Sequence, residues 1–153
     1  MSSKSSHDKN NKVHESIGHR ISILYRFTKI YIDRELAEFG IGSGQIPFLM
    51  TLYRGDGVSQ EVLTEIHNVD KATTTRAINK LEVEGYVVRK VDETDRRAYR
   101  VHITDKGWKM KPVFHRKLQR WTKILLNDFS ESDRVTLLKL LDRLADNASE
   151  YNE

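Results

Sequence analysis

Apolar residues recur every three to four positions through most of this chain, which is the period of an amphipathic helix. Ser59, Asp70 and Ser130 each precede such a stretch, and their side chains can accept a hydrogen bond from the first turn of a helix. Thr104 can cap a long helix in the same way. The pattern predicts helices over about 14–38, 45–53, 60–66, 71–84 and 105–127, and a last helix after Ser130.

A different pattern follows the fourth helix. The segments "YVVRKV" and "RAYRVHI" have the β-branched and aromatic composition of strands, and the charged segment "DETDRR" between them is typical of a turn. The two short helices before this hairpin are joined across "HNVD", which is a helix-turn-helix pattern. The predicted fold is mainly α with a small β-hairpin.

The helix over 71–84 has two distinct faces when its residues are placed at 100° intervals. Thr74, Ala77, Ile78 and Leu81 share the side predicted to face the core. The opposite side is small and polar with two cations, and it would suit a DNA major groove, where arginine can bind guanine and threonine can meet phosphate or thymine. A plain solvated surface is the alternative. The outward side consists of Ala72, Thr73, Thr75, Arg76, Asn79, Lys80 and Val83.

The tip of the predicted hairpin carries two adjacent arginines, Arg96 and Arg97, among the acids Asp92, Glu93 and Asp95. Arginine can enter a narrow minor groove, where the potential is most negative. Asp95 would repel phosphate, so we expect it to brace a neighbouring arginine through a charge-assisted hydrogen bond. A helix in the major groove and a hairpin in the minor groove together predict a winged helix-turn-helix.

The charge distribution favours the same end of the molecule. Residues 71–100 carry a net charge of +3 and residues 101–120 a net charge of +5, whereas residues 124–153 carry −4. The first two segments therefore suit a polyanion such as double-stranded DNA, and the last does not.

Several classes of site are not expected. The chain has no cysteine, which excludes disulfides and thiolate metal sites and agrees with a cytoplasmic protein. No apolar run is long enough to span a membrane, and the first residues do not resemble a secretory signal. The histidines show no metal-ligand spacing, and no catalytic motif is present. We therefore expect no cofactor, no metal and no enzyme activity.

The segments "TRAINKLEVEGYVVR" and "DETDRRAYRVHITDKG" resemble the MarR family of bacterial and archaeal transcription regulators, and within it the SlyA-type members. The resemblance implies base or phosphate contacts for Thr73 and Arg76, minor-groove contacts for Arg96 and Arg97, and bracing by Asp95. Many members carry arginine where this chain has Thr94, so its wing is expected to make one contact fewer.

The resemblance also implies a homodimer held together by N- and C-terminal helices, in agreement with the surplus apolar faces of the first, fifth and last helices. A dimer would pair two half-sites of a pseudo-palindromic operator. We accordingly divide the chain into a disordered tail (1–12), helical dimerisation regions (13–38 and 108–153) and a winged helix-turn-helix domain (39–107).

MarR-type proteins commonly release DNA when a small aromatic or anionic ligand binds, so a ligand-released repressor is expected. An effector-independent architectural DNA-binding protein, a counter-silencer and a protein–protein module are the alternatives. Each ligand candidate is aromatic or cationic, and each could equally be an ordinary core or surface residue. The candidates are Tyr25, Arg26, Tyr31, Tyr53 and Trp108.

Overall fold

The computed structural model describes residues 5–152, with side chains from residue 16 onward. Six α-helices and a small antiparallel sheet confirm the fold class predicted from the sequence. The elements are α1 (Ser5–Leu36), a 3₁₀ turn (Ala37–Phe39), α2 (Ile46–Arg54), β1 (Val58–Ser59), α3 (Gln60–His67), α4 (Lys71–Val83), β2 (Val87–Val91), β3 (Tyr99–Ile103), α5 (Asp105–Leu125) and α6 (Glu131–Tyr151).

Two differences from the sequence-based expectation concern the N-terminal half. Helix α1 begins at Ser5, earlier than the predicted start near His14, so it overlaps the predicted disordered tail. The first four residues of that tail lie outside the described residues. The second difference is β1, a two-residue strand that the sequence did not predict.

The inward face of α4 is the one that the helical wheel predicted. Thr74, Ala77, Ile78 and Leu81 are all buried. The Thr74 hydroxyl is paired despite its burial, since it lies 2.8 Å from the Thr64 hydroxyl of α3 and shares a hydrogen bond with it. The two helices of the helix-turn-helix are thus joined by apolar packing and by one buried polar contact.

The sheet has the strand order β1-β3-β2, and both pairings are antiparallel. In the hairpin, Val87 faces Ile103 and Arg89 faces Val101, while Val58 of β1 pairs with the other side of Val101. Val101 is fully buried. The hairpin base therefore belongs to the core, and its tip extends beyond it.

The described residues form two compact units, which divide between Lys117 and Leu118. In the second unit, α6 begins with a capping box in which Ser130 and Asp133 exchange hydrogen bonds between side chain and backbone, as the sequence predicted. No residue of α6 is buried within the chain. Four of its five leucines are about half exposed instead.

In the first unit, aromatic side chains pack around the start of α5. Phe114 is fully buried, and its ring lies edge-on to Phe39 and to Tyr86, with centroids 5.5 Å apart in each pair. The Tyr53 hydroxyl donates to the Gly107 carbonyl at 2.6 Å. The Thr104 hydroxyl accepts a hydrogen bond from the Gly107 N–H, which confirms the predicted cap.

This packing leaves no room for a side chain at Gly107. A β-carbon there would lie 2.3 Å from the Tyr86 carbonyl oxygen and 2.6 Å from Ile103 Cγ2. We therefore expect Gly107→Ala to lower the free energy of unfolding by about 1–3 kcal/mol, as overpacking typically does, when measured by urea denaturation.

Gly18→Ala is the matched control, because Gly18 is also helical and a β-carbon there meets nothing within 4 Å. Alanine at an open helical position should be neutral or stabilising by about 0.5–1 kcal/mol. Equal stabilities for the two variants would contradict the close approach at Gly107.

Candidate nucleic-acid interface

Helix α4 starts at a strong cap. Asp70 Oδ1 accepts a hydrogen bond from the Thr73 backbone N–H at 2.6 Å. This bond, with a further one from the Thr73 side chain, keeps the pKa of Asp70 below its ordinary value. The carboxylate also suits the positive end of the helix dipole. The first turn of α4 is therefore well ordered at the point where a recognition helix meets DNA.

The outward face of α4 is accessible. Ala72, Arg76, Asn79 and Lys80 are exposed, and Thr73 and Thr75 are partly exposed. The side chains of Arg76 and Thr73 lie together, since Arg76 Nη2 donates to Thr73 Oγ1 at 3.2 Å. This pair places a guanidinium and a hydroxyl on one patch of the helix surface.

Arg89 of β2 connects the sheet to both helices of the helix-turn-helix. Its guanidinium donates to Glu82 Oε2 and to Asn79 Oδ1, at 2.6 Å in each case, and to Gln60 Oε1 at 3.0 Å. Gln60 Nε2 in turn donates to the Thr75 hydroxyl at 2.9 Å. Strand β2 is thereby fixed to α3 and α4 by charge-assisted hydrogen bonds.

The wing, defined as β2, β3 and the turn 92–98, is braced by Asp92. The Asp92 carboxylate accepts hydrogen bonds from the Thr94 hydroxyl and backbone N–H, at 2.7 and 2.8 Å, and from Arg100 Nε at 2.8 Å. The Thr94 hydroxyl and then its N–H contribute most to lowering the pKa of Asp92 to about 2. The other side of Arg100 donates to the Gly57 carbonyl at 2.8 Å.

The tip of the wing and α4 line one open groove of about 1060 Å³. Thr75 and Asn79 contribute from α4, and Arg97 and Tyr99 from the wing. Part of the outward side of α4 and the wing tip therefore border a common space, to which α3 also contributes Gln60, Glu61, Thr64 and Glu65.

Comparison with known proteins identifies the family. The MarR family profile matches residues 39–98. The HTH-type transcriptional regulator YybA of Bacillus subtilis is 32% identical over 83% of this chain and 85% of its own length. This chain belongs to the MarR family. A solved MarR transcriptional regulator from Methanosarcina mazei Go1 is 46% identical, with a TM-score of 0.86 over 90% of this chain and 99% of that one.

The solved transcriptional regulator SlyA is a further neighbour, at 29% identity and a TM-score of 0.76 over 90% of this chain and 94% of that one. The chain is thus a DNA-binding transcriptional regulator of the MarR family, as its winged helix-turn-helix motif predicted.

In this MarR-family regulator, Asp92 takes part in ordering the wing as well as Asp95, the residue that the sequence suggested. Asp95 Oδ1 accepts a hydrogen bond from the Arg97 backbone N–H at 3.0 Å, whereas Asp92 holds an arginine side chain. Arg96 and Arg97 are both exposed. Asp92 was predicted from the sequence only as an acid near the two arginines, whereas its hydrogen bonds in the structure lower its pKa. The signal that could have identified this role of Asp92 was the register of β2 and β3, because that register brings Arg100 near Asp92.

Arg89 was also missed as a functional residue. It lies on the inward side of the hairpin, and its partners are 7 to 29 positions away in the sequence. The available signal was its position on the strand, where the neighbouring Val87 and Val101 are buried. A charged side chain at such a position needs hydrogen-bond acceptors.

Two of the five ligand candidates lie together in the structure. Tyr53 and Trp108 do meet, with ring centroids 5.5 Å apart, and Lys111 Nζ lies 5.4 Å from the centroid of each ring. The Tyr31 hydroxyl instead donates to the Lys117 carbonyl at 3.0 Å. Tyr25 is 67% exposed on α1, and Arg26 beside it is exposed as well.

The described part of the chain lacks two other features, a metal site and a membrane span. No three histidine, aspartate or glutamate side chains there are arranged to hold a metal ion. No helix within it has the length and apolar character needed to cross a bilayer.

The braced wing gives a prediction for Asp92. Its folded-state pKa of about 2 is below the ordinary 3.8, so its contribution to the wing is complete above pH 3.8 and is lost as the pH falls through about 2. At neutral pH, Asp92→Asn should loosen the turn, because the charge-assisted bond to Arg100 is lost. We expect faster amide hydrogen exchange at Thr94 and Asp95.

Glu93→Gln is the control, since it removes a neighbouring exposed carboxylate from the same turn. Its exchange rates should match those of the unmodified protein. Unchanged exchange in Asp92→Asn would show that the wing does not depend on this carboxylate.

Proposed function

We propose that this regulator is a homodimer that binds a pseudo-palindromic operator, represses transcription from it in the cytoplasm, and is released by a small aromatic or anionic ligand. The observation that supports this proposal best is the shared groove, in which Thr75 and Asn79 of the outward side of α4 lie with Arg97 of the wing tip.

The roles of the DNA-contacting residues follow from their exposure. Arg76 and Thr73 present a guanidinium and a hydroxyl for the major groove, with Ala72 permitting close approach and Lys80 available for phosphate. Arg96 and Arg97 extend from the wing tip and suit the narrow minor groove. Asp95 orders the tip through the Arg97 backbone rather than by contacting DNA.

Unburied apolar surface on the terminal helices supports dimerisation. Helix α6 exposes Leu138, Leu140, Leu141 and Leu144, each by more than 40%, and α1 independently exposes a stripe of its own. Apolar patches of this kind mark interaction surfaces. A second copy is the occupant we propose, because a symmetric dimer doubles the DNA-reading helix and matches operators with two half-sites. The α1 stripe consists of Ile17, Ile21, Leu24, Phe27 and Ile30.

The effector is supported by the Tyr53–Trp108 pair. Trp108 is 41% exposed, so its ring is accessible, and Lys111 adds a positive charge that suits an anionic aromatic ligand. Such a ligand would release DNA only if it bound better to the form that does not bind DNA. Tyr25, Arg26 and Tyr31 are the other candidates, all on α1.

The test is fluorescence anisotropy with DNA from the protein's own upstream region, at ~150 mM salt and with excess unrelated DNA. A specific dimer should bind with two chains per site and prefer its site by ~10³ or more. If it neutralises ~8 phosphates, the log–log salt slope should be near −7. Binding that competitor abolishes would favour an architectural protein, and no binding at low salt would favour a protein–protein module.

Arg76 should carry sequence preference. We expect Arg76→Ala to weaken binding to the best site by ~1–3 kcal/mol, and binding to random DNA by less, if its guanidinium contacts guanine bidentately. Arg143→Ala is the control, because Arg143 is an exposed arginine of α6 and should change neither affinity. An equal loss on both DNAs would assign Arg76 to a phosphate instead.

The leucine face of α6 should hold the dimer. We expect Leu141→Glu to reduce the mass in sedimentation equilibrium from twice 17.9 kDa toward 17.9 kDa, because a buried unpaired carboxylate is costly at an apolar interface. Lys139→Glu places the same side chain at an exposed polar position of that helix and should leave the dimer intact. A Leu141→Glu protein that remained dimeric would remove α6 from the interface.

A further inference from the structure

Asn79 lies on the exposed side of α4, but its carboxamide oxygen is already engaged. Arg89 Nη2 donates to Asn79 Oδ1 at 2.6 Å. A guanidinium has N–H donors and no acceptor, so the carboxamide cannot be turned over without placing its own NH₂ group against another donor. The chemistry of the pair therefore fixes the oxygen toward Arg89 and the nitrogen, Nδ2, away from it.

Arg89 cannot easily release this oxygen. Its Nη1 donates to Glu82 Oε2 at 2.6 Å and its Nε to Gln60 Oε1 at 3.0 Å, and the side chain is only 17% exposed. A rotation toward DNA would break these charge-assisted bonds together. The orientation of Asn79 is thus set in the free protein.

The hydroxyl of Thr75, on the same side of α4, is also fully engaged in hydrogen bonds. Thr75 Oγ1 donates its single hydrogen to the Lys71 carbonyl at 2.8 Å and accepts from Gln60 Nε2 at 2.9 Å. Thr75 therefore offers DNA its methyl group and no hydrogen. Of these two residues, Asn79 is the one that can donate.

We propose that Asn79 is a donor-only position of the DNA interface, whose Nδ2 binds an acceptor on the duplex and whose oxygen is withheld by Arg89. The acceptor is a phosphate oxygen, a purine N7 or a keto oxygen of a base. The paired contact of asparagine with adenine, which needs both the oxygen and the nitrogen, is excluded at this position. The inference rests on the proposed function, in which the outward side of α4 meets DNA.

The test compares two amide-to-acid substitutions beside the same guanidinium. Asn79→Asp keeps an oxygen for Arg89 and replaces the outward donor with an acceptor. Gln60→Glu likewise keeps an oxygen for Arg89 and adds the same charge, but the donor that it removes binds Thr75. We expect Asn79→Asp to weaken binding to the preferred site about tenfold more than Gln60→Glu does, with circular dichroism confirming that both variants fold.

Modified duplexes then identify the acceptor by double-mutant cycles. Three duplexes each remove one acceptor: a single methylphosphonate removes a phosphate oxygen, a 7-deaza purine removes N7, and a base analogue without the keto group removes that oxygen. The modification whose effect disappears in Asn79→Asp identifies the acceptor and supports the proposal. Equal losses in Asn79→Asp and Gln60→Glu would overturn it. Coupling between Asn79 and the 6-amino group of an adenine would overturn it as well, because only a free oxygen could accept that hydrogen.

The proposed function is tested separately in the same experiment. If the unmodified protein bound every duplex alike and Arg76→Ala had no effect, the operator-binding function would fail, and this inference with it. If the unmodified protein and Arg76→Ala behaved as expected and only the Asn79 result failed, the operator-binding function would stand.

Discussion

The guanidinium of Arg89 is the constraint on which the DNA-binding surface depends. Arginine keeps its charge under all ordinary conditions, so a guanidinium that is only 17% exposed must find an acceptor for each edge. Gln60 of α3 and Asn79 and Glu82 of α4 supply these acceptors. Because Arg89 lies on β2, which is itself part of the wing, these bonds hold the wing against α4 together with the apolar core beneath them. An interface that must match the fixed spacing of two DNA grooves benefits from that rigidity.

The terminal helices show a different constraint. Most of the stability of a helix in a protein comes from the packing of its apolar face, and α6 buries no residue within its own chain. Its half-exposed leucines therefore need a cover for the helix to persist. A second copy would provide that cover and would also supply the second recognition helix that a two-fold operator needs. Folding and DNA recognition would then depend on the same association, and the concentration of the protein would influence both.

The sequence predicted most of the fold because its signals are local. The period of α4 identified its four buried residues, and Ser59, Asp70, Thr104 and Ser130 all form the caps that their positions suggested. A strand of two residues, Val58–Ser59, has no period to detect, and the early start of α1 lies in a polar segment with no apolar stripe. The candidate site was harder, since Asp92 and Arg89 act through partners that only the sheet register and the helix packing bring near. The exposed residues of α4 and the wing tip were found, but their hydrogen-bonding state was not.

The wing shows how a DNA-binding element can tolerate acidic residues. The charge of Asp92 is compensated by Arg100, and its oxygens accept hydrogen bonds from Thr94. Asp95 similarly accepts from the backbone of Arg97. Both carboxylates order the turn locally, which lowers the entropy that the wing would lose on entering a groove. Thr94, which stands where an arginine is common in the family, contributes to this order through two bonds to Asp92. Its place in the wing is therefore to fix the shape of the tip, while Arg96 and Arg97 remain exposed to provide the positive charge.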